Sequence, residues 1–426
     1  MKNRLAPLIE SLTHDTVLAQ WFQPMQIALD KVRYSGDIFR ELSMPAFLLL
    51  GGLRQLQSHR TLREQVQSLM HLDCAPRPPL ARSTWSDALS SKKRRHITQE
   101  AFLQLVSYAR DHLPERFNDM PNLGSRDVIA IDASYQTESV HYHPVYPMQG
   151  GTDNQKGHML MTFYDCRKGI PLDIKSETVS RGEMRVIKEG LDDSRWTEVK
   201  NALYTVDRAF IDVRYWDRLK QSHKATTVTR FKSIMKYEEV ASRPIAQRAC
   251  NEGVTSDTEV TLILSKQTWR RIEFTNDQGE KYSYLTNDFS LEPGELAFIY
   301  HRRWDEEKYF DNFKNDLGSD KAWGKSPVAI QQQACIGMIT YILTRLFLEE
   351  QFEELLLPDG NTTQIGKHEK KIKAYKKDGG ISLRAYWSQL SKIPLQVWRF
   401  FKNCFMKKSS PQLYESQLKP ILERYL

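Results

Sequence analysis

The first part of the chain has apolar residues at three- and four-residue spacing, which is typical of amphipathic helices. This spacing runs through Phe47 to Met70 and again through Phe102 to Leu113. Between these runs, the prolines of Cys74 to Leu80 exclude a helix, and the following segment ARSTWSDALSS predicts a short helix capped at Ser83 or Thr84. We therefore expect this part of the chain to be mostly helical.

The pattern changes near residue 127 to short apolar runs that alternate with helical segments. Val128 to Ile131 is an unbroken apolar run, the mark of a strand covered on both faces. Further strands are predicted at Gly157–Tyr164, Gly169–Val179, Ala202–Val206 and Ala225–Arg230, with helices at Gly182–Leu191 and Val213–Leu219. The order β-β-β-α-β-α-β predicts an α/β domain with a mixed sheet.

Residues 232–290 depart from this alternation. Strands are predicted at Thr258–Leu264, Arg270–Phe274 and Lys281–Thr286, and the turn-forming TNDQGE between the last two favours antiparallel pairing. A long helix should begin at Pro293 and end near Leu317, and an apolar helix should cover Pro327–Phe352. The expected fold is α/β with an antiparallel β insertion before the long helix, flanked by N- and C-terminal helical regions.

Composition narrows the class of protein. With 426 residues and 49.7 kDa, the chain is long enough for two or three domains. A formal charge of +8 suits a polyanionic partner. The basic run Lys92, Lys93, Arg94 and Arg95 is either a solvated surface or part of a helix that docks on DNA phosphates. Five dispersed cysteines indicate neither a disulfide framework nor a zinc site, and no segment predicts a membrane span, so we expect a cytoplasmic protein.

Two apolar strands each lead into an aspartate, Asp132 after VIAI and Asp207 after ALYTV. An aspartate at this place lies at the carboxyl edge of the sheet, where open α/β sheets bind ligands. One such aspartate is more often a turn residue or a helix cap than a catalytic group. Two of them on one predicted sheet favour a functional site.

The long helix adds a third carboxylate on a defined face. At about 100° of rotation per residue, four residues fall within a sector of about 60°: Tyr300, Arg303, Glu307 and Lys314. Asp305 and Glu306 lie roughly 100° or more from Glu307 and should face solvent, whereas Asp311 is closer in angle and rivals Glu307. An ordinary amphipathic helix with an ion pair between Arg303 and Glu307 remains an alternative.

Three carboxylates without histidine or cysteine beside them favour Mg²⁺ or Mn²⁺, which prefer oxygen ligands. Two such ions about 3.5 to 4 Å apart activate the attacking oxygen of a phosphodiester reaction and stabilise the leaving oxygen. Tyr300, Arg303 and Lys314 then suit contacts to DNA phosphates, since arginine offers a bidentate fork and lysine a point charge. The pattern predicts metal-dependent chemistry on a phosphodiester.

The spacing Y-x2-R-x3-E-x6-K within YHRRWDEEKYFDNFK resembles the YREK signature of the family-four insertion-sequence transposases. Those enzymes belong to the DDE superfamily and have an RNase H-like core. The resemblance extends over about 120–350, because IAIDAS and YTVDRAF are similar to the segments that hold the first and second aspartates. It implies an insertion-sequence transposase that binds terminal inverted repeats and catalyses metal-dependent DNA cleavage and strand transfer.

The resemblance also implies roles for single residues. Asp132, Asp207 and Glu307 would be the catalytic ligands of two Mg²⁺ or Mn²⁺ ions, while the tyrosine, arginine and lysine of the signature would hold phosphates near the transposon end. Family members that flip a base stack it on an aromatic side chain of the β insertion, and Trp269 is the candidate for that role. A tryptophan in a sheet is more often a core residue, so this alternative stays open.

The expected domains follow from the same resemblance. Residues 1–120 would be a helical DNA-binding region, 121–231 and 291–352 the catalytic core, 232–290 the β insertion, and 353–426 a C-terminal helical region that helps to pair two subunits. The partners would be double-stranded DNA, as transposon ends and target, and a second copy of the chain on that DNA. The location would be the bacterial cytoplasm, in association with the nucleoid.

Two other functions are compatible with these patterns. One is an RNase H-like nuclease that cuts DNA without joining it. The other is a catalytically inactive, transposase-derived DNA-binding protein, against which the intact set of carboxylates argues.

Overall fold

The computed structural model describes most of the chain between residues 16 and 425. The described residues are 16–34, 42–57, 63–64, 80–117, 120–137, 146–147, 156–178, 182–193, 199–276, 278–317, 322–324, 326–356, 376–377, 380–381, 393–406 and 410–425. The sequence LLPDGNTTQIGKHEKKIKAYKKDGG over about 356–380 is polar and Lys-rich and predicts a mobile loop; this segment falls almost wholly outside the described residues.

A ten-stranded mixed sheet forms the centre of the molecule. Its strands are β1 (Val128–Thr137), β2 (Tyr146–Pro147), β3 (Lys156–Asp165), β4 (Ile170–Thr178), β5 (Leu203–Val206), β6 (Thr226–Arg230), β7 (Tyr237–Ser242), β8 (Val254–Leu262), β9 (Thr268–Thr275) and β10 (Lys281–Thr286). The spatial order is β2-β3-β1-β5-β6-β10-β9-β8-β7, with β4 paired to β3. Two short strands, β11 (Lys376–Lys377) and β12 (Gly380–Ile381), pair separately.

Only the middle of this sheet is parallel. β1 pairs parallel with β5, and β5 pairs parallel with β6, whereas the other pairs are antiparallel. The antiparallel strands expected in 232–290 are present, and they extend the central sheet through the pairing of β10 with β6. The mixed α/β architecture predicted from the sequence is therefore confirmed.

Helices pack on both the sheet and each other. They are α1 (Thr16–Asp30), α2 (Met44–Gln57), α3 (Arg82–Ser90), α4 (Lys92–His112), α5 (Glu183–Leu191), α6 (Val213–His223), α7 (Pro293–Arg302), α8 (Trp304–Asp311), α9 (Pro327–Leu356), α10 (Leu395–Met406), α11 (Ser410–Leu413) and α12 (Lys419–Tyr425). Two π-helical turns, Asn312–Asp316 and Tyr414–Leu418, follow α8 and α11.

Helix α9 joins the terminal regions to the sheet. It packs against α1, α2, α4 and strand β4, and its long apolar sequence is buried along most of the described length. Polar side chains within it are paired: Thr344 accepts a hydrogen bond from the Trp21 indole at 3.1 Å, and Gln332 donates to the Leu89 carbonyl at 2.5 Å. The apolar core is continuous from α1 to α12.

Two details of the N-terminal region differ from expectation. The short helix begins at Arg82, after an N-cap at Ala81 that makes no side-chain cap hydrogen bond, so neither Ser83 nor Thr84 is the cap. The basic run forms the first turn of α4, a 21-residue helix whose N-cap is Ser91. The periodicity had marked only the apolar second half of this helix.

The expectations about cysteines and membranes were tested on part of the chain. The four cysteines among the described residues, Cys166, Cys250, Cys335 and Cys404, are free thiols. Cys74 lies outside the described residues. No described helix combines the length and the apolar character that a membrane span needs.

Candidate active site

The parallel strands place Asp132 and Asp207 side by side. Ile131 pairs in register with Val206, so the next residue on each strand is an aspartate. Thr205 pairs with Val228, and the same register continued two residues brings Arg230 next to Asp207. Neighbouring strands are about 4.8 Å apart, so these three side chains form a row across the carboxyl end of the parallel strands.

Asp132 differs in one respect from the sequence-based prediction. It does not end its strand, because β1 continues to Thr137 in antiparallel pairing with β3, where Asp132 lies opposite Thr162. Only the parallel pairing with β5 ends at this point. The backbone of Ala133 donates to the Asp132 carboxylate at 2.8 Å, which helps to fix the orientation of that side chain.

The start of α7 is held tightly against the extended sheet. Glu292 and Glu295 form a capping box around Pro293 at the first helical position. A Cβ on Gly294 would lie 1.7 Å from the Cys250 carbonyl oxygen, so only glycine allows this close approach. These contacts fix the direction in which the helix runs toward the aspartates.

The expected single helix is broken at Arg303. α7 ends at Arg302, Arg303 forms a turn whose N–H donates to the Tyr300 carbonyl at 3.1 Å, and α8 begins at Trp304. After α8 the chain continues as a π-helical turn that contains Lys314. The assumption of a uniform 100° rotation from residue 293 to 317 was therefore wrong, although the segment keeps one overall path past β1.

Arg303 connects two of the predicted site carboxylates. Its Nη1 donates to Asp132 Oδ2 at 2.9 Å, and its Nη2 donates to Glu307 Oε1 at 2.6 Å. The Arg303 side chain is 7% exposed, Asp132 is 19% exposed and Glu307 is 49% exposed. Arg303 and Asp132 are 171 positions apart in the sequence. Arg303 therefore links the helix to the central sheet, in addition to forming the ion pair with Glu307 along the helix.

The electrostatics of the site are those of a crowded anionic cluster. Burial raises the pKa of Asp132 to about 6, opposed mainly by Arg303 and reinforced by the negative charges of Glu307 and Asp207. Burial lowers the pKa of Lys314, and Asp132 opposes that shift. Burial raises the pKa of Tyr300, which also senses Arg303 and Asp207. Each of the six predicted site residues of the sheet edge and the helix thus interacts electrostatically with at least one of the others.

A small cavity of about 60 Å³ opens beside Asp207. It is lined by Asp207, Arg230, Tyr282, Tyr284, Tyr300, His301 and Arg303. The Tyr282 and Tyr284 rings are nearly parallel at 6.3 Å, the Tyr284 and Tyr300 rings are 5.1 Å apart, and the Arg230 guanidinium lies 5.1 Å from the Tyr282 ring centre. An aromatic and cationic wall therefore extends from the carboxylates along β10.

The donor set suits a hard divalent cation in chemical type. Asp132, Asp207 and Glu307 offer only oxygen ligands. Their negative charges repel each other, and the positive charges of Arg303 and Lys314 offset this repulsion in part. As the side chains stand, no three His, Cys, Asp or Glu residues in the described part of the chain converge closely enough to hold an ion. Arg303 instead occupies oxygens of two of these carboxylates.

The rival carboxylates occupy other positions. Asp311 accepts a hydrogen bond from Asn315 at 2.5 Å on the exposed side of the helix, whereas Glu307 is the one tied to Asp132 through Arg303. The side chains of Asp305 and Glu306 lie outside the described residues, so their expected exposure stays a prediction.

Two predicted DNA contacts are contradicted by burial. Trp269 is fully buried in β9, and its indole N–H donates to Asp217 at 3.0 Å and to Ser265 at 3.1 Å. Trp269 is therefore a core residue, which was the alternative to a stacking role, and neither face of its ring is accessible to a base. Arg94 is also buried, donating to the Leu42 carbonyl at 2.5 Å and lying 5.2 Å from the Phe47 ring centre.

The rest of the basic run is more accessible. Lys92 and Lys93 are exposed on the first turn of α4, and Arg95 is half-buried with a 2.5 Å hydrogen bond to Gln331. These three residues are not near the carboxylate site in any described contact. A role in DNA binding remains a prediction for Lys92, Lys93 and Arg95.

Sequence reasoning missed Arg230, Tyr282, Tyr284 and His301. Arg230 carried a usable signal, because it ends the strand TTVTR next to ALYTV, and the rule that selected Asp207 applies to it equally. The tyrosines alternate on β10, as expected for one face of a strand, but the direction of that face depends on pairing with β6.

Comparison with known proteins adds three similarities. The family described as Transposase DDE domain matches residues 123–343, more than half of the chain, and this span includes Asp132, Asp207 and Glu307. A Sinorhizobium fredii protein named as a transposase, y4zB, is 28% identical over 152 residues, which are 34% of this chain and 42% of that protein. The chain therefore matches less than half of the length of this relative.

The third comparison is an alignment with a solved structure. The cryo-EM structure of the piggyBac transposase synaptic complex with hairpin DNA aligns with 100% of this chain and 84% of its own, at 11% identity and a TM-score of 0.43.

Proposed function

Because the chain belongs to the Transposase DDE domain family, we propose that it is an insertion-sequence transposase that cuts DNA at terminal inverted repeats and joins the freed ends to a target. The observation that carries this proposal is the bridge from Asp132 through Arg303 to Glu307, next to Asp207 at the end of the parallel strands. The spacing of the helix residues supports the YREK subtype, and the parallel strands with flanking helices support an RNase H-like core.

The three carboxylates are the proposed ligands of Mg²⁺ or Mn²⁺. Two bound ions would supply an activated attacking oxygen and stabilise the leaving oxygen of the phosphodiester. The protein contributes the positions of the ligands: Asp132 and Asp207 are fixed by strand pairing, and Glu307 by the helix that begins at the capping box. The Asp132 side chain is only 19% exposed, so its electrostatic interactions are stronger than they would be in water.

The cations and aromatic rings of the site are the proposed DNA contacts. Arg303 and Lys314 would neutralise phosphates near the scissile bond, and Tyr300 would line their approach. In place of Trp269, we assign the stacking of an extruded base to Tyr282, which is half-buried beside Arg230 at the mouth of the cavity. Stacking of a base on an aromatic ring contributes about 1 to 3 kcal/mol.

The wider assignments rest on the family likeness and on charge. Double-stranded DNA is the proposed partner, with the N-terminal helices at the inverted repeats and the C-terminal helices in a homodimer formed on DNA. The net charge of +8 and the exposed Lys92 and Lys93 support the first of these.

The test compares Glu307→Gln with Glu189→Gln. Each glutamate forms an ion pair with the arginine four residues earlier, and the two side chains are 49% and 47% exposed. Glu189→Gln therefore controls for the loss of a helix ion pair. The DNA that flanks the reading frame is sequenced first, and the inverted repeats expected there supply the substrate duplex. Glu307→Gln should retain gel-shift binding but lose cleavage, while Glu189→Gln should cleave like the wild type.

The same assay separates the other two functions. A duplex with pre-cut 3′ ends reports joining directly, so cleavage without joining would identify a nuclease. Binding without cleavage in the wild type at saturating Mg²⁺ and Mn²⁺ would identify an inactive DNA-binding protein. Full cleavage by Glu307→Gln would overturn the assignment of the third carboxylate.

A further inference from the structure

Arg303 engages the same oxygens that a divalent cation would need. The guanidinium uses one Nη on Asp132, at 2.9 Å, and the other on Glu307, at 2.6 Å. The Arg303 side chain is 7% exposed and Asp132 19% exposed, so this end of the bridge is shielded from salt, whereas Glu307 is 49% exposed. A cation held by both carboxylates would therefore compete with this bridge for Asp132 Oδ2 and Glu307 Oε1.

A DNA phosphate is the anion best suited to draw the Arg303 guanidinium away from the carboxylates. Guanidinium binds phosphate through the same planar fork that it uses for carboxylate, so a DNA phosphate competes for Arg303 with Asp132 and Glu307. The location favours exchange, because Arg303 sits at a turn between α7 and α8 and lines the cavity beside Asp207.

We propose that Arg303 is a displaceable internal counter-ion that makes DNA phosphate and the divalent cation bind cooperatively. The inference rests on the proposed function, since it requires the carboxylates to be metal ligands. Without DNA, the bridge occupies carboxylate oxygens and weakens cation binding. A phosphate that draws Arg303 away frees those oxygens, so the two ligands share the cost of one displacement and each raises the affinity for the other by the same factor.

The first experiment measures Mn²⁺ binding to the DNA-free protein, by the electron paramagnetic resonance signal of free Mn²⁺. Arg303→Ala should bind Mn²⁺ about tenfold or more tightly than the wild type, within the roughly 5- to 150-fold range of couplings between sites. Arg303→Lys should show a smaller gain, because one ammonium does not span both carboxylates. Arg208→Ala is the control: Arg208 is exposed beside Asp207, so its loss removes a nearby charge without opening the bridge.

The second experiment measures the reciprocal effect on DNA. The affinity for a fluorescein-labelled duplex of arbitrary sequence is followed by anisotropy, with and without Ca²⁺ at constant ionic strength. Ca²⁺ takes oxygen ligands as Mg²⁺ and Mn²⁺ do. It should strengthen DNA binding by the wild type, and this effect should disappear in Arg303→Ala and in Asp132→Asn.

The outcomes distinguish this inference from the proposed function. If Arg303→Ala gains Mn²⁺ affinity and an added Asp132→Asn substitution abolishes the gain, the inference stands. If Mn²⁺ binding depends on Asp132 but Arg303→Ala binds no more tightly than the wild type, the metal site is real and the counter-ion role is wrong. If Mn²⁺ binding is unaffected by Asp132→Asn, both are wrong. Circular dichroism of Arg303→Lys, which keeps the charge, shows whether a lost effect reflects unfolding.

Discussion

Asp132→Asn should stabilise the metal-free protein while it removes a proposed ligand. Burial raises the pKa of Asp132 from 3.8 to about 6, even with Arg303 as its partner. The side chain is 19% exposed, so solvent screening is limited. A difference of roughly two pKa units corresponds to about 3 kcal/mol of unfavourable charge in the folded state at pH 8. Asparagine has the shape of aspartate without the charge, so the variant should recover a large part of that energy.

The pH dependence follows from the sign of the shift. Because the folded state holds this proton more tightly than the unfolded state, the wild type gains stability as the pH falls through about 6 and the gain is complete near 3.8. Asp132→Asn lacks this contribution. The difference between the two proteins should therefore be greatest above pH 7 and should vanish near pH 4.

Urea denaturation in EDTA across this pH range measures the difference. Asp87→Asn, which removes a carboxylate from an exposed position on α3, controls for the change in net charge. Added Mg²⁺ should reverse the order of stability, because ligand at about 1,000 times its Kd adds about 4.1 kcal/mol to a protein that binds it. Equal or lower stability of Asp132→Asn at pH 8, or a difference that persists unchanged at pH 4, would refute the reasoning.

Three further outcomes are expected. Trp269→Phe removes the indole hydrogen bond to buried Asp217, so the free energy of unfolding in urea should fall by about 1 to 3 kcal/mol. DNA binding by the folded protein should not weaken. Weaker binding at unchanged stability would instead support a stacking role for Trp269. Asn312→Ala breaks two buried hydrogen bonds to the Ile393 backbone, at 2.9 and 3.0 Å, and should cost about 2 to 5 kcal/mol, against little for exposed Asn315→Ala; a loss as small as that of Asn315→Ala would contradict this. DNA affinity should fall linearly on a log-log plot against salt, by about 0.9 per phosphate contacted, and a flat line would argue against phosphate binding.

The strands of the sheet that the sequence could predict are those with buried side chains. The first four residues of β1, Val128–Ile131, form an unbroken apolar run, and β5 is buried throughout, because both faces of the sheet are covered there. β7 was missed for the opposite reason. Five of its six side chains are exposed, so burial imposes no hydrophobic pattern, and the strand exists through backbone pairing with β8 alone. Edge strands of this kind leave no periodic signal in a sequence.

Within the site, contacts between residues close in sequence could be predicted, whereas contacts between distant residues could not. The pair between Arg303 and Glu307 follows from a spacing of four residues on a helix and was predictable. The third member, Asp132, reaches Arg303 only because strand register and the helix path agree across 171 residues. Trp269 shows the same limit, because a core role and a stacking role need the same residue type, and the deciding partner, Asp217, lies 52 residues away.

The partial exposure of the Arg303 bridge reconciles two demands that the proposed function makes on the site. Asp132, Asp207 and Glu307 repel each other, which favours the Arg303 guanidinium between two of them. Under the proposed function, the same guanidinium must leave the carboxylates and bind phosphate. Its partner Glu307 is 49% exposed, so competing ions can reach this end of the bridge. The sequence HRRWDEE contains neither proline nor glycine to mark the interruption at Arg303, so the rotation rule described one continuous helix where the structure has two helices and a π-helical turn.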